Sequence, residues 1–389
     1  MEKIFNNTQV AFALKSDTEL DRAYFLFKMI ANEPLVRIGT AITNFALKAH
    51  LPVDGLIRAT VFDHFCGGVN EVDCLSVVDK MYTKGVSSVL DYSVEGKEEE
   101  AQFDAALEMT LKTVEFAKER QAIPFAVFKP TGLGRLDLYE KVGSKNTLTS
   151  AEEIEWNKVK ERFEIICKTA HEKDVALLID AEESWMQDAA DDLVEAMMRK
   201  YNKEKVIVFN TLQMYRWDRM DYLKKLHERA KSDGYYIGMK LVRGAYMEKE
   251  NARAAEKGYP TPICASKQAT DDNYNFAVDY MMKHIDHMAI FAGTHNEESS
   301  YKLMEMQLAN GIAKDDKRIW YGQLYGMSDN ISYNLAGHGY NVAKYLPFGP
   351  VRDVMPYLIR RAEENTSVAG QTSRELNLLK TERDRRKIK

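Results

Sequence analysis

With 389 residues, 45% apolar and 29% charged side chains and a net charge of −5, the chain has the composition of a globular protein, with room for one large barrel-type domain or two smaller ones. Its basic residues are dispersed, which excludes a nucleic-acid footprint, and no apolar run approaches the length of a membrane-spanning helix. The cysteines Cys66, Cys74, Cys167 and Cys264 form no C-x-x-C pair and read as free thiols of a reducing cytoplasm.

Met1 to Glu19 carries charges of both signs and no apolar core, so it reads as neither a secretory signal nor a transit peptide. Residues 1–85 form an N-terminal helical segment, with apolar residues three and four apart in Leu20–Ala31 and Arg37–His50, punctuated by Pro34 and Pro52. His64, Cys66 and Cys74 match no standard metal spacing, and no metal is expected. From residue 86 short apolar runs alternate with amphipathic stretches. The runs are Ser87–Tyr92, Ile123–Lys129, Val175–Asp180, Val206–Leu212, Tyr236–Val242, Met288–Thr294, Ile319–Leu324 and Asn341–Leu346. Helices are expected at Ala101–Arg120, Ala151–His171, Asp218–Lys231, Asp271–His284, Ser299–Asn310 and Val351–Glu364. His284 and His287, at helical i, i+3 spacing, read as a helix surface feature. Eight strand–helix units predict an α/β fold, a distorted (β/α)8 TIM-type barrel over residues 86–370. An open doubly wound sheet is the competitor, but no G-x-G-x-x-G follows the first strand. Residues 371–389 form a basic tail, with six Lys or Arg from Lys380 to Lys389. The plain expectation is a frayed, solvated end; the sharper one is a weak contact with an anionic membrane or partner.

Barrel active sites lie at the C-terminal ends of the strands. In chain order those ends offer Asp91 and Glu95, Lys129 and Thr131, Asp180, Glu182 and Glu183, Gln213, Tyr215 and Arg216. They continue with Lys240, Arg243, Tyr246 and Glu248, then Thr294, His295 and Asn296, Gln323 and Tyr325, and Lys344 and Tyr345. Lys129, Lys240, Arg243 and Lys344 stand on or just after apolar strands. Each needs a partner there: an acid such as Asp180, Glu182 or Glu95, or a bound phosphate or carboxylate. Neither a Ser-His-Asp order nor H-E-x-x-H is present, so nucleophilic or zinc hydrolysis has little support. In the last barrel helix, Arg360 and Arg361 are adjacent. Their bearings differ by about 100°, yet two long side chains can still meet one carboxylate.

Five stretches resemble the proline dehydrogenase family. They are Gly238–Tyr246 (GMKLVRGAY), Tyr345–Pro350 with Tyr357–Asn365, Leu178–Glu182 (LIDAE), Thr294–Asn296 (THN) and Gln323–Met327 (QLYGM). They run in the family's order, and no motif of the first 80 residues matches. The resemblance implies a barrel holding FAD non-covalently. In it L-proline is oxidised to Δ1-pyrroline-5-carboxylate by hydride transfer to flavin N5, as the first step of proline catabolism. Electrons would pass on to a quinone-type acceptor, which suits a cytoplasmic protein peripheral to the inner face of a membrane. It implies that Arg360 and Arg361, with Lys129, hold the proline carboxylate, and that Tyr345, Tyr357, Leu324 and Tyr246 wall the ring. Lys240 would stand near N5 with Asp180 beside it, as the catalytic pair. Ala181, Gln213, Arg243, Gly244, Ala245, Thr294, His295 and Glu364 would contact FAD, Arg243 through the pyrophosphate.

Elementary chemistry agrees with that picture. Hydride transfer belongs to the cofactor, so the protein needs positioning groups rather than a strong nucleophile. Gly244 and Ala245 lack bulk, which would let backbone approach a cofactor. A hydroxyproline dehydrogenase is the near alternative; by the resemblance, Tyr345 favours proline over its 4-hydroxyl analogue. A Schiff-base barrel lyase using Lys240 or Lys129 is an alternative of a different class, and a non-catalytic binding barrel is a third. No second catalytic domain is legible, so oxidation of the product is expected on another chain.

Overall fold

A computed structural model describes residues 3–49, 53–93, 98–367 and 371–388. Its strands are β1 (Val86–Tyr92), β2 (Phe125–Phe128), β3 (Ala176–Ile179), β4 (Val208–Gln213), β5 (Ile237–Val242), β6 (Met288–Gly293), β7 (Ile319–Leu324) and β8 (Val342–Phe348). They close in sequence order into an eight-stranded barrel. Each apolar run of the sequence became one strand, because strands covered on both faces need continuous apolar residues. Helices follow at every place expected, and others lie at Leu136–Gly143, Ser184–Tyr201, Met247–Lys257 and Asp329–Gly337.

The chain divides into two compact units, residues 1–95 with 322–389, and residues 96–321. In the first, β1 and β8 pair in parallel from Val86 opposite Val342 to Tyr92 opposite Phe348. Helix Asp17–Ile30 starts with a capping box, Ser16 accepting from the Glu19 N–H while the Glu19 carboxylate accepts from the Ser16 N–H. Its Leu20, Ala23, Phe27 and Ile30 recur at helical spacing and are buried against Phe62, Phe65, Val354 and Leu358. Pro34 lies in the first turn of helix Glu33–Lys48, where a missing N–H costs nothing, so it admits the helix rather than ending it. Pro52 lies outside the described residues.

The basic tail is not frayed. Gln371–Arg386 is a helix whose Leu378 and Leu379 enter the same apolar core. Arg386 bonds Asp17 (3.0 Å), Lys15 O (2.8 Å) and Phe12 O (2.8 Å), and Arg383 pairs with Asp21 (2.6 Å). Those guanidinium groups meet acceptors at the start of the chain, so solvation is not where their charge goes.

In the second unit β2 to β6 are parallel with continuous registers, for example Lys240 between Thr211 and Phe291. Phe125 sits edge-on to Phe209, Phe291 and Trp320, with centroids 5.8, 5.2 and 5.1 Å away. His287 is exposed, as a surface feature would be, but both rings have neighbours. His284 is half-buried, 4.6 Å from the ring of buried His227, and His287 stacks on Tyr236 at 6.5 Å. Burial, with His284 and His287 as neighbouring charges, pushes His227 down to about 4.

Candidate active site

In residues 96–321 the ends of β2 to β6 carry a connected set of polar groups. Lys240 is buried within β5 and forms an ion pair with Asp180, one residue beyond β3. The Asp180 N–H donates to Phe128 O at 3.0 Å, which fixes that carboxylate beside the β2 end. Lys129 is half-buried there and leads into the turn Pro130–Gly132. Glu182 accepts from the Thr131 N–H (2.9 Å) and hydroxyl (2.6 Å), and its own carbonyl accepts from Gln213 Nε2 (2.8 Å). Burial pushes the Glu182 carboxyl up to about 7 against the bonds from Thr131. Ala181, between the two acids, is half-buried.

Arg243, just past β5, forks three ways: to Asp271 (2.6 Å), Thr294 Oγ1 (2.7 Å) and Ser299 Oγ (3.0 Å). Its guanidinium also lies 4.5 Å from the Tyr274 ring centroid. Burial raises the Asp271 carboxyl, but Lys267 and Arg243 outweigh it and hold the group below the usual range. Thr294 also accepts from the Asn296 N–H at 3.1 Å, and Asn296 caps helix Glu297–Ala309, with half-buried His295 between them. Gly244 is exposed and has φ +131°, where a side chain would be strained; a Cβ would come within 2.5 Å of the Tyr215 ring. Ala245 is exposed and Tyr246 half-buried beside it.

In residues 322–389 Tyr345, on β8, and Tyr357 are buried, and half-buried Leu324 ends β7. The Tyr325 N–H donates to Tyr345 O at 2.8 Å, tying the β7 end to β8. Arg361 is 8% exposed, with its guanidinium carbon 5.1 Å from the Tyr357 ring centroid. Arg360 is half-buried on the same helix, Met355–Ser367. The side chain of Glu364, on that helix too, and all of Glu95 lie outside the described residues.

Of the two partners open to Lys344, an acid or a bound anion, the structure gives it an acid. The lysine is fully buried and bonds Asp329 Oδ1 (2.7 Å) and Met327 O (2.6 Å), while Lys15 reaches the other Asp329 oxygen at 3.2 Å. Burial raises the Asp329 carboxyl, but the two ammonium groups outweigh it and hold the group far below the usual range. Asp329, Lys15 and Asp271 escaped notice as partners in the sequence, because none of them lies at a strand end. The turn before Asp329 contains Gly326, φ +79°, where a Cβ would meet His64 O at 2.3 Å.

Two features of the strand ends suit FAD. Gln213 Oε1 is buried and has no hydrogen-bond partner among the described residues, and the backbone at Gly244 and Ala245 is exposed. A lone acceptor at one strand end and bare backbone at the next suit the polar edge of a large planar cofactor. No group of three His, Cys, Asp or Glu able to hold a metal occurs among the described residues.

A model of the proline dehydrogenase family matches residues 74–374. The chain is 36% identical over 364 residues to the carbapenem antibiotics biosynthesis protein CarD of Pectobacterium carotovorum subsp. carotovorum, covering 93% of this chain and 94% of that protein. It is 41% identical over 234 residues to mitochondrial proline dehydrogenase 1 of Homo sapiens, covering 59% of this chain but only 39% of that one. Among solved structures it is similar to proline utilization A from Bdellovibrio bacteriovorus inactivated by N-propargylglycine, at a TM-score of 0.72 and 19% identity, over 92% of this chain and 38% of that one. That structural likeness supports the barrel, and the family match spans every strand. The chain belongs to the proline dehydrogenase family.

Proposed function

We propose that this enzyme oxidises L-proline to Δ1-pyrroline-5-carboxylate with FAD as its cofactor, the first step of proline catabolism. The observation that carries the reading is the Asp180–Lys240 ion pair at the end of the barrel, flanked by Gln213 and Arg243 on successive strand ends. FAD, when bound, supplies the hydride acceptor. We assign Ala181, Gln213, Lys240, Arg243, Gly244, Ala245, Thr294, His295 and Glu364 to holding it. Asp180 fixes where the Lys240 ammonium stands. Arg360 and Arg361 bind the substrate carboxylate, and Lys129 is a further cation assigned to the substrate. Tyr345, Tyr357, Leu324 and Tyr246 wall its ring, orienting a small rigid amino acid and keeping water from it. A Schiff-base lyase acting through Lys240 fits less well, because that amine is already engaged with Asp180.

Purified protein should be yellow, with bands at about 380 and about 450 nm that bleach when L-proline is added without oxygen. A colourless protein, or bands that L-proline leaves untouched, would remove the reading. Tyr345 also predicts selectivity. Tyr345→Ser should admit a 4-hydroxyl and raise kcat/KM for 4-hydroxyproline relative to L-proline roughly tenfold. Equal turnover of both substrates by the unmodified enzyme would refute this.

The proposed acceptor is a quinone-type molecule, reached through peripheral contact with a membrane. No helix among the described residues is long and apolar enough to cross one. Support comes from Phe25 (64% exposed) and Met29 (39% exposed), four residues apart on helix Asp17–Ile30, with exposed Lys28 between them.

A further inference from the structure

All of the polar atoms of Glu182 are engaged, each by a neighbouring segment. Both carboxylate oxygens accept from Thr131, at 2.9 and 2.6 Å; its carbonyl accepts from Gln213 at 2.8 Å; and its N–H donates to Gln187 Oε1 at 3.0 Å. Gln187 in turn donates to Asp191 (2.9 Å), which also accepts from Asn210 (2.8 Å) and from fully buried Arg219 (2.6 Å). Thr131 is two residues past Lys129. The turn between them is closed by the Gly132 N–H on Lys129 O (2.9 Å) and by the Tyr139 hydroxyl on Pro130 O (2.8 Å). The grip of Glu182 therefore runs from a rigid buried network to the backbone that carries Lys129.

We propose that Glu182 is a positioning residue that sets where the Lys129 ammonium and the Gln213 amide stand, and so tunes substrate binding without touching the substrate. The inference rests on the reading of Lys129 as a substrate ligand. A side chain placed by two hydrogen bonds to a carboxylate is held more tightly than one placed by backbone alone, because charge-assisted bonds are the shorter and stronger ones. The groups facing Glu182 are Lys129 and Thr131 from the β2 end, adjacent Glu183, and Tyr139 of helix Leu136–Gly143. Burial dominates and Glu183 adds to it, while Thr131 and Lys129 oppose, leaving the carboxyl at about 7. Protonation removes the charge facing Lys129, so the grip loosens as pH falls through neutrality.

Kinetics of the flavin-loaded enzyme test this with three variants. Lys129→Met should raise KM for L-proline. Thr131→Val should raise KM about tenfold with kcat little changed, since a misplaced ligand weakens ground and transition states alike. Glu182→Gln keeps the shape but is fixed in the neutral form. Its kcat/KM should sit at the low-pH level of the unmodified enzyme and lack the rise through pH 7, with an unchanged melting temperature. If Lys129→Met lowers kcat/KM while Thr131→Val and Glu182→Gln keep the normal KM and pH profile, the positioning role is overturned and the substrate reading stands. If Lys129→Met has no effect, the substrate reading of Lys129 falls, and this inference with it.

Discussion

Arg361→Met is expected to lower kcat/KM for L-proline at least a hundredfold, about 3 kcal/mol of transition-state binding. A carboxylate moved out of water needs a charged donor, and at 8% exposure the Arg361 position admits little water to replace one. Arg360→Met should cost less, since Arg360 is half-buried and solvent can partly substitute. Arg361→Lys should recover only part of the loss, because an ammonium cannot fork onto both carboxylate oxygens. Melting curves separate binding from folding. Arg361 also lies over the Tyr357 ring, a contact worth about 1 kcal/mol, so the melting temperature of Arg361→Met is read beside its kinetics. Wild-type efficiency in both Met variants would remove the clamp.

The largest stability effect should come from Asp329. Asp329→Ala leaves Lys344, which is fully buried, and Lys15 facing each other without their shared counter-charge. Breaking a buried pair in this way costs about 3 to 5 kcal/mol, measurable by urea unfolding. Replacing both partners, as Asp329→Leu with Lys344→Met, should recover much of it, since an apolar pair of similar volume carries no desolvation cost. The pH dependence has a definite sign. The carboxyl is depressed in the folded state, so its stabilisation is complete above the unfolded value of about 4 and is lost as pH falls from there toward the folded value. In Asp329→Ala this share of the acid sensitivity should disappear. If the Ala variant is as stable as the unmodified chain, the two lysines have found other acceptors and the account is wrong.

Lys240 and Lys344 show how far the sequence could be read. Both stand in apolar strands, and both read as cations needing either an acid or a bound anion as partner. Lys240 pairs with Asp180, which lies at a strand end and was nameable beforehand. Lys344 pairs with Asp329, on a helix with no signature of its own, and shares it with Lys15 from the other end of the chain. The C-terminal helix makes the same point: its run of arginines looked like a solvated end, yet Arg383 pairs with Asp21 and Arg386 with Asp17.

The sequence by itself determined the eight strands, their order and parallel direction, and which residues stand at the strand ends, because apolar periodicity and alternation are local properties written along the chain. The family was also legible, in motifs that span the barrel. Only the tertiary structure decided which charges neutralise one another and which stay at the strand ends for a ligand. A buried cation takes the partner that folding brings within about 3 Å, and that choice depends on contacts between distant segments, which no local pattern records.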